Sequence, residues 1–116
     1  MVEALMVQTL GPIFGGRIYP DTADGDTPMP FAIYQQVGGV APVFMDGGLP
    51  DKRNARMQIT VWAKGRAQAS DLIGAVQEAL CAPPVYAVPL SAAVSRRDDE
   101  TGFRGAMQDF SVWYAP

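Results

Sequence analysis

Between Asn54 and Ala63 the chain alternates strictly. Met57, Ile59, Val61 and Ala63 fall on one side of an extended backbone, and Arg56, Gln58, Thr60 and Trp62 on the other. That period of two predicts a strand with one face on the core. The period then changes. From Lys64 to Leu80 the apolar positions Ala69, Leu72, Ile73, Val76, Ala79 and Leu80 make one helical stripe, with Arg66, Gln68, Asp71, Gln77 and Glu78 mostly off it. A helix over 66–81 follows, closed by Ala82-Pro83-Pro84. Met57, Ile59, Val61, Leu72, Ile73, Val76 and Leu80 are the expected core.

The same reading places the remaining elements. Val2, Leu5, Met6 and Leu10 have helical spacing, and Gly11-Pro12 stops that first helix. Arg17-Ile18-Tyr19 is a short strand ended by Pro20, followed by a polar loop over 20–30. Phe31 to Val37 is a strand whose start tolerates Pro30. Gly38-Gly39 breaks it, and the stretch to Pro50 holds an apolar trio, Val43-Phe44-Met45. Near the C-terminus, strands over 92–97 and 104–114 flank the acidic turn Asp98 to Gly102. In the last strand Phe110, Val112 and Tyr114 share one face, and Asp109, Ser111 and Trp113 the other. The order helix, strands, helix, strands predicts an α+β fold: a single twisted, mainly antiparallel sheet with two helices packed on one face.

Composition sharpens this picture. At 116 residues, with 48% hydrophobic and 18% charged positions, the chain suits a single domain over 1–116 with one packed core. Twelve glycines and ten prolines imply many turns and short strands. Nine basic and twelve acidic side chains leave a net charge of −3, which argues against specific nucleic-acid binding, since phosphates need a basic footprint. Cys81 is the sole cysteine, so no intrachain disulfide forms and a reducing compartment is expected. The first residues, Met1 to Met6, carry an acid where a secretion signal has Lys or Arg. No long apolar run follows, so neither a signal nor a membrane span is expected.

The residue inventory speaks against catalysis. Histidine is absent, which removes Ser-His-Asp and Cys-His systems and most zinc sites. Cys81 reads as a small apolar residue near a helix end. Asp21, Asp24 and Asp26 lack the ligand alternation, central glycine and closing glutamate of a calcium loop, and read as solvated. Asp98-Asp99-Glu100 reads as a solvated hairpin tip, and Gly11 to Gly16 lacks the Lys-Ser/Thr of a phosphate loop. No catalytic, cofactor or metal site is expected.

One succession is more specific. Gly16-Arg17-Ile18-Tyr19-Pro20 is followed by Met29-Pro30-Phe31-Ala32-Ile33-Tyr34-Gln35-Gln36-Val37. Then come Arg56 to Ala63, the alanine-rich helix, Thr101-Gly102-Phe103-Arg104, and Gln108 to Tyr114. In order and spacing this resembles a tail-completion family of long-tailed phages and prophages, related in fold to tail terminators, from about Leu5 to Tyr114. The resemblance implies a structural protein of the head–tail junction. Such proteins form a homo-oligomeric ring, typically a hexamer, that caps the tail tube, stops its growth and meets the head connector. It also implies assembly in the host cytoplasm and a final place in the virion tail or neck, without membrane contact.

For such a ring the candidate interface residues are Val43, Phe44, Met45, Lys52, Arg53, Arg56, Trp62 and Trp113. The two tryptophans stand opposite the apolar faces, where exposed aromatics favour partner contacts. Arg56 is placed for an intersubunit ion pair, and Lys52-Arg53 for steering a partner. The loop from Gly38 to Asn54 is long for a strand connection, and its apolar trio suits an arm reaching a neighbour as well as a plug for the chain's own core. Two other classes stay open: a small-molecule-binding α+β regulatory domain, which requires a closed apolar pocket, and a carboxylate-pair enzyme, which requires two converging acids with raised pKa values.

Overall fold

The structure, a computed structural model, describes residues 2–24, 26–41, 47 and 51–115. Its elements run α1 (Val2–Leu10), a 3₁₀ turn (Gly11–Ile13), β1 (Ile18–Pro20), β2 (Phe31–Gln36), β3 (Arg53–Ala63), α2 (Arg66–Cys81), β4 (Val88–Pro89), β5 (Val94–Arg97) and β6 (Arg104–Tyr114). One sheet has the order β1-β2-β3-β6-β4, with β5 also paired to β6. The architecture is α+β, with a sheet antiparallel throughout except between β1 and β2.

The alternation in β3 sets the layers. Met57, Ile59, Val61 and Ala63 are fully buried, and their partners on β6 include Phe110 and Ala106. Ala69, Ile73, Val76 and Leu80 of α2 join the same cluster, as do Val2, Met6 and Leu10 of α1. Both helices therefore cover one face. Each fully buried Ile, Val or Leu contributes about 1.5–3 kcal/mol by leaving water, so this face is the main source of stability. Leu72 is only half-buried, at the edge of the helix stripe.

The structure departs from the pattern-based expectation in four places. Gly11-Pro12 does not end the helical path at once. A 3₁₀ turn continues to Ile13, because proline is tolerated in a first turn and the fully buried Phe14 draws the chain inward. Pro20 lies inside β1 rather than beyond it. There the edge position makes its missing N–H harmless, and Asp21 N–H restores the bonding by donating to Tyr34 O at 2.9 Å. β1 runs parallel to β2, and parallel neighbours need a long return, which explains the loop over 21–30. Finally, β5 starts at Val94 rather than Ala92, and β4 at Val88–Pro89, too short for a periodicity to show, precedes it on the same neighbour.

One core-facing position is polar. Gln108, 4% exposed, donates through Nε2 to Gln77 Oε1 and to Ser91 O, both at 2.8 Å. It latches the segment between β4 and β5 to α2, which satisfies an amide that would be costly to bury unpaired.

Candidate interaction surface

The sheet face opposite the helices carries Phe31, Ile33 and Gln35 of β2, Arg56, Gln58, Thr60 and Trp62 of β3, and Gly105, Met107, Asp109, Ser111 and Trp113 of β6, as the register requires. Its middle is polar, as usual for an antiparallel sheet with one wet face. Its two ends are apolar, and they differ.

At one end Trp62 stands across from Gly105. A Cβ built on Gly105 would lie 2.9 Å from the indole Cε3 and 2.9 Å from Val61 O, so the ring lies directly over the glycine. Phe31, the other cross-strand neighbour, packs edge-on against Tyr19 with ring centroids 6.4 Å apart. Residues 22–24 and the turn at Asp98, Thr101 and Phe103 close round Trp62, leaving a cleft of about 200 Å³. Trp62 is consequently half-buried in its own chain. Asp98 holds that turn, accepting Glu100 N–H at 3.1 Å and the Thr101 hydroxyl at 2.8 Å.

The other end lies eight residues back along β3, about 27 Å away at ~3.4 Å per residue. Asn54 is buried there. Its Oδ1 accepts Val40 N–H at 2.9 Å and its Nδ2 donates to Ser111 Oγ at 2.9 Å. Val37 N–H donates to Arg56 O and Arg56 N–H to Gly38 O, so residues 37–40 continue along β3 beyond the end of β2. Only glycine allows this closeness at position 39, where φ is +146° and a Cβ would stand 2.6 Å from Asn54 O. Arg56, half-exposed, pairs with Asp109 of its own chain, Nε and Nη2 each 2.8 Å from Oδ2. The intersubunit pair expected of Arg56 thus has an intrachain competitor.

Among the described residues, every exposed large apolar side chain except Val7 falls on 37–40, on 86–94 or at Trp113. Trp113 is 45% exposed, Val88 55% and Tyr86 66%. Tyr86 also holds a left-handed backbone, φ 53°, rare for a bulky residue. Val88 pairs with Ser111 and Trp113 with Asn54, which puts 37–40 and 86–90 on either side of the same strand ends, whereas Val94, paired with Met107, lies toward the Trp62 half of the sheet. Between 37–40 and 86–90 runs a groove of about 460 Å³ lined by Val37, Val40, Asn54, Arg56, Leu90 and Ser111.

The structure therefore gathers Arg53, Arg56 and Trp113 at one end, with Lys52 next to Arg53, and separates them from Trp62. Val43, Phe44 and Met45 lie outside the described residues. Val37, Val40, Tyr86, Val88 and Leu90 are surface residues that the interface expectation did not include. The spacing Tyr86-Val88-Leu90 was a period-two signal of an apolar edge, masked by the prolines around it.

As for chemistry, a cavity of about 490 Å³ between α2 and residues 89–93 is a shallow opening to solvent. No group of three or more His, Cys, Asp or Glu among the described residues converges as a metal site would. Tyr34 has its phenol pKa raised above 10.0, by burial first and then by repulsion from Glu3 and Asp21. A raised folded-state value means that its stability contribution is full below pH 10.0 and is lost as pH climbs through the folded-state pKa. No helix among the described residues is long and apolar enough to cross a membrane.

Curated proteins offer no significant match to the chain. Residues 2–115 match the sequence model of the family described as tail completion protein gp17. With nearly the whole length covered, the chain belongs to that phage tail-completion family, as the succession of motifs from Gly16 to Tyr114 implied.

Proposed function

We propose that this protein closes the end of the phage tail tube as a homo-oligomeric ring, a hexamer, and offers the ring's outer surface to the head connector. The family match over residues 2–115 carries this reading. The helix-free sheet face supports it, because most of its exposed apolar side chains gather at the Trp113 end, and such a patch suits contact with a partner. The role is structural and non-enzymatic. Assembly takes place in the host cytoplasm, and the product stays in the virion tail, with neither nucleic acid nor membrane as a specific partner.

The test is tube length. Tubes grown without the protein should elongate without a fixed end, and purified protein should stop them and appear as a ring with a central hole in negative stain. Tube growth indifferent to the protein would overturn the reading. Cys81→Ser and the pair Asp98→Asn, Asp99→Asn should leave capping intact. Lost capping by a folded Cys81→Ser variant would reopen a thiol chemistry.

A further inference from the structure

We infer that the cleft at Trp62 is a binding site for the guanidinium group of an arginine on another protein. Three aromatic side chains, Phe31, Trp62 and Phe103, line it together with two carboxylates, Asp24 and Asp98, and no cation is among the lining residues. A planar cation is attracted both by the faces of aromatic rings and by carboxylates. An apolar occupant would cover two charges without partners, and an anion would be repelled. The volume, about 200 Å³, suits one side chain, since pockets that enclose a whole small molecule run to roughly 300–1,000 Å³.

The chain's own contacts hold the cleft in shape. The indole rests on Gly105, which fixes the ring. On one rim the turn orients Asp98: Oδ1 accepts Glu100 N–H and Oδ2 the Thr101 hydroxyl, and each oxygen keeps a further lone pair for an incoming N–H. On the other rim Thr27 N–H donates to Asp24 O at 3.0 Å and turns the loop there. Neither carboxylate has a cation beside it: among the described residues the one ion pair is Arg56–Asp109, toward the other end of the sheet. Position then selects the partner. Most exposed apolar side chains gather at the Trp113 end, so contacts between copies belong there, and the Trp62 cleft at the far end of β3 is left for a different protein. That choice of partner rests on the oligomeric reading above; the binding itself does not.

The experiment follows the indole N–H of Trp62 by nuclear magnetic resonance, with a Trp113→Phe variant to tell the two tryptophans apart. N-acetyl-arginine amide should shift the Trp62 signal saturably. N-acetyl-citrulline amide, nearly the same shape without the charge, should bind about tenfold more weakly. Asp24→Asn should weaken the arginine titration by roughly threefold. That side chain makes no hydrogen bond among the described residues, so the variant should melt with the unaltered protein. Equal titrations by the two amides would overturn the inference, and so would an arginine titration indifferent to Asp24→Asn. Without ligand, the Trp62 signal should stay fixed as the protein is diluted. Movement on dilution would mean that a second copy fills the cleft, and the assignment to another protein would fall. Because the readout is binding at Trp62, loss of tube capping leaves this result untouched, and loss of arginine binding leaves the capping proposal standing.

Discussion

Trp62 and Trp113 occupy the same sheet face, on neighbouring strands, and sequence alone treats them as equals. The fold does not. Trp62 has Gly105 beneath it, Phe31 beside it, and two connections of its own chain around it. Trp113 sits next to Asn54, and almost half of it faces solvent. At the first end the chain covers its apolar surface itself, using the return loop that a parallel strand pair demands. At the second end the connections are secured by polar bonds through Asn54, and the apolar side chains face outward. A side chain's alternation in a strand thus fixes which face it shares. Whether that face is wet is decided by segments remote in sequence.

This contrast can be attacked first at Gly105. In Gly105→Ala a new Cβ would meet Val61 O, which is backbone and cannot step aside, as well as the indole. Overpacking of this kind costs about 2–3 kcal/mol, and the melting temperature should fall by roughly 10 °C. An unchanged melting curve would mean that Trp62 does not rest on the glycine, and the self-covered end would lose its basis. Trp62→Ala should follow at about 2 kcal/mol, below the ~3–5 kcal/mol of a fully buried tryptophan because the ring is half-exposed. Thermal denaturation checks both.

At the second end the comparable test is Asn54→Ala. It removes the acceptor of Val40 N–H and the donor to Ser111, so about 1–2 kcal/mol should be lost, chiefly from polar groups left without partners. Amide exchange at Val40 should quicken in this variant, while exchange in α2 slows or quickens only with global stability. Protection at Val40 equal to that of the unaltered protein would show that Asn54 does not secure this end.

How much of this could be read from the chain follows from where each signal resides. β3, α2 and β6 are long enough for their periods to declare themselves, and their helix-side faces were legible down to individual residues. Gln108 was not, because a glutamine in alternation looks like a solvent position until Gln77 and Ser91 are brought to it by the fold. Arg56 looked free because its partner, Asp109, lies 53 residues away in sequence. β4 has two residues, one of them proline, too few for any period. The apolar end was legible only in hindsight, since exposure of Val88 and Leu90 depends on β4 being the last strand of its sheet order among the described residues.

The smallest expected effect on stability is the most informative about function. Trp113→Ala removes a large side chain, yet almost half of that side chain already faces solvent and its neighbour Asn54 makes its bonds to Val40 and Ser111 instead. A surface substitution away from caps, cavities and networks shifts stability by less than about 0.5 kcal/mol, so the monomer should melt within a few degrees of the unaltered protein. Assembly should respond otherwise. Interface energy concentrates in a few aromatic side chains, and truncating one costs about 2 kcal/mol or more of binding, roughly thirtyfold in association. Sedimentation of Trp113→Ala against Trp62→Ala therefore separates the two ends. The Trp113 variant should be stable and fail to assemble, whereas the Trp62 variant should be destabilised and assemble in proportion to its folded fraction. If Trp113→Ala melted several degrees lower and its remaining folded protein assembled normally, the open end would belong to the fold rather than to a partner, and the difference between the two tryptophans would lose its functional meaning.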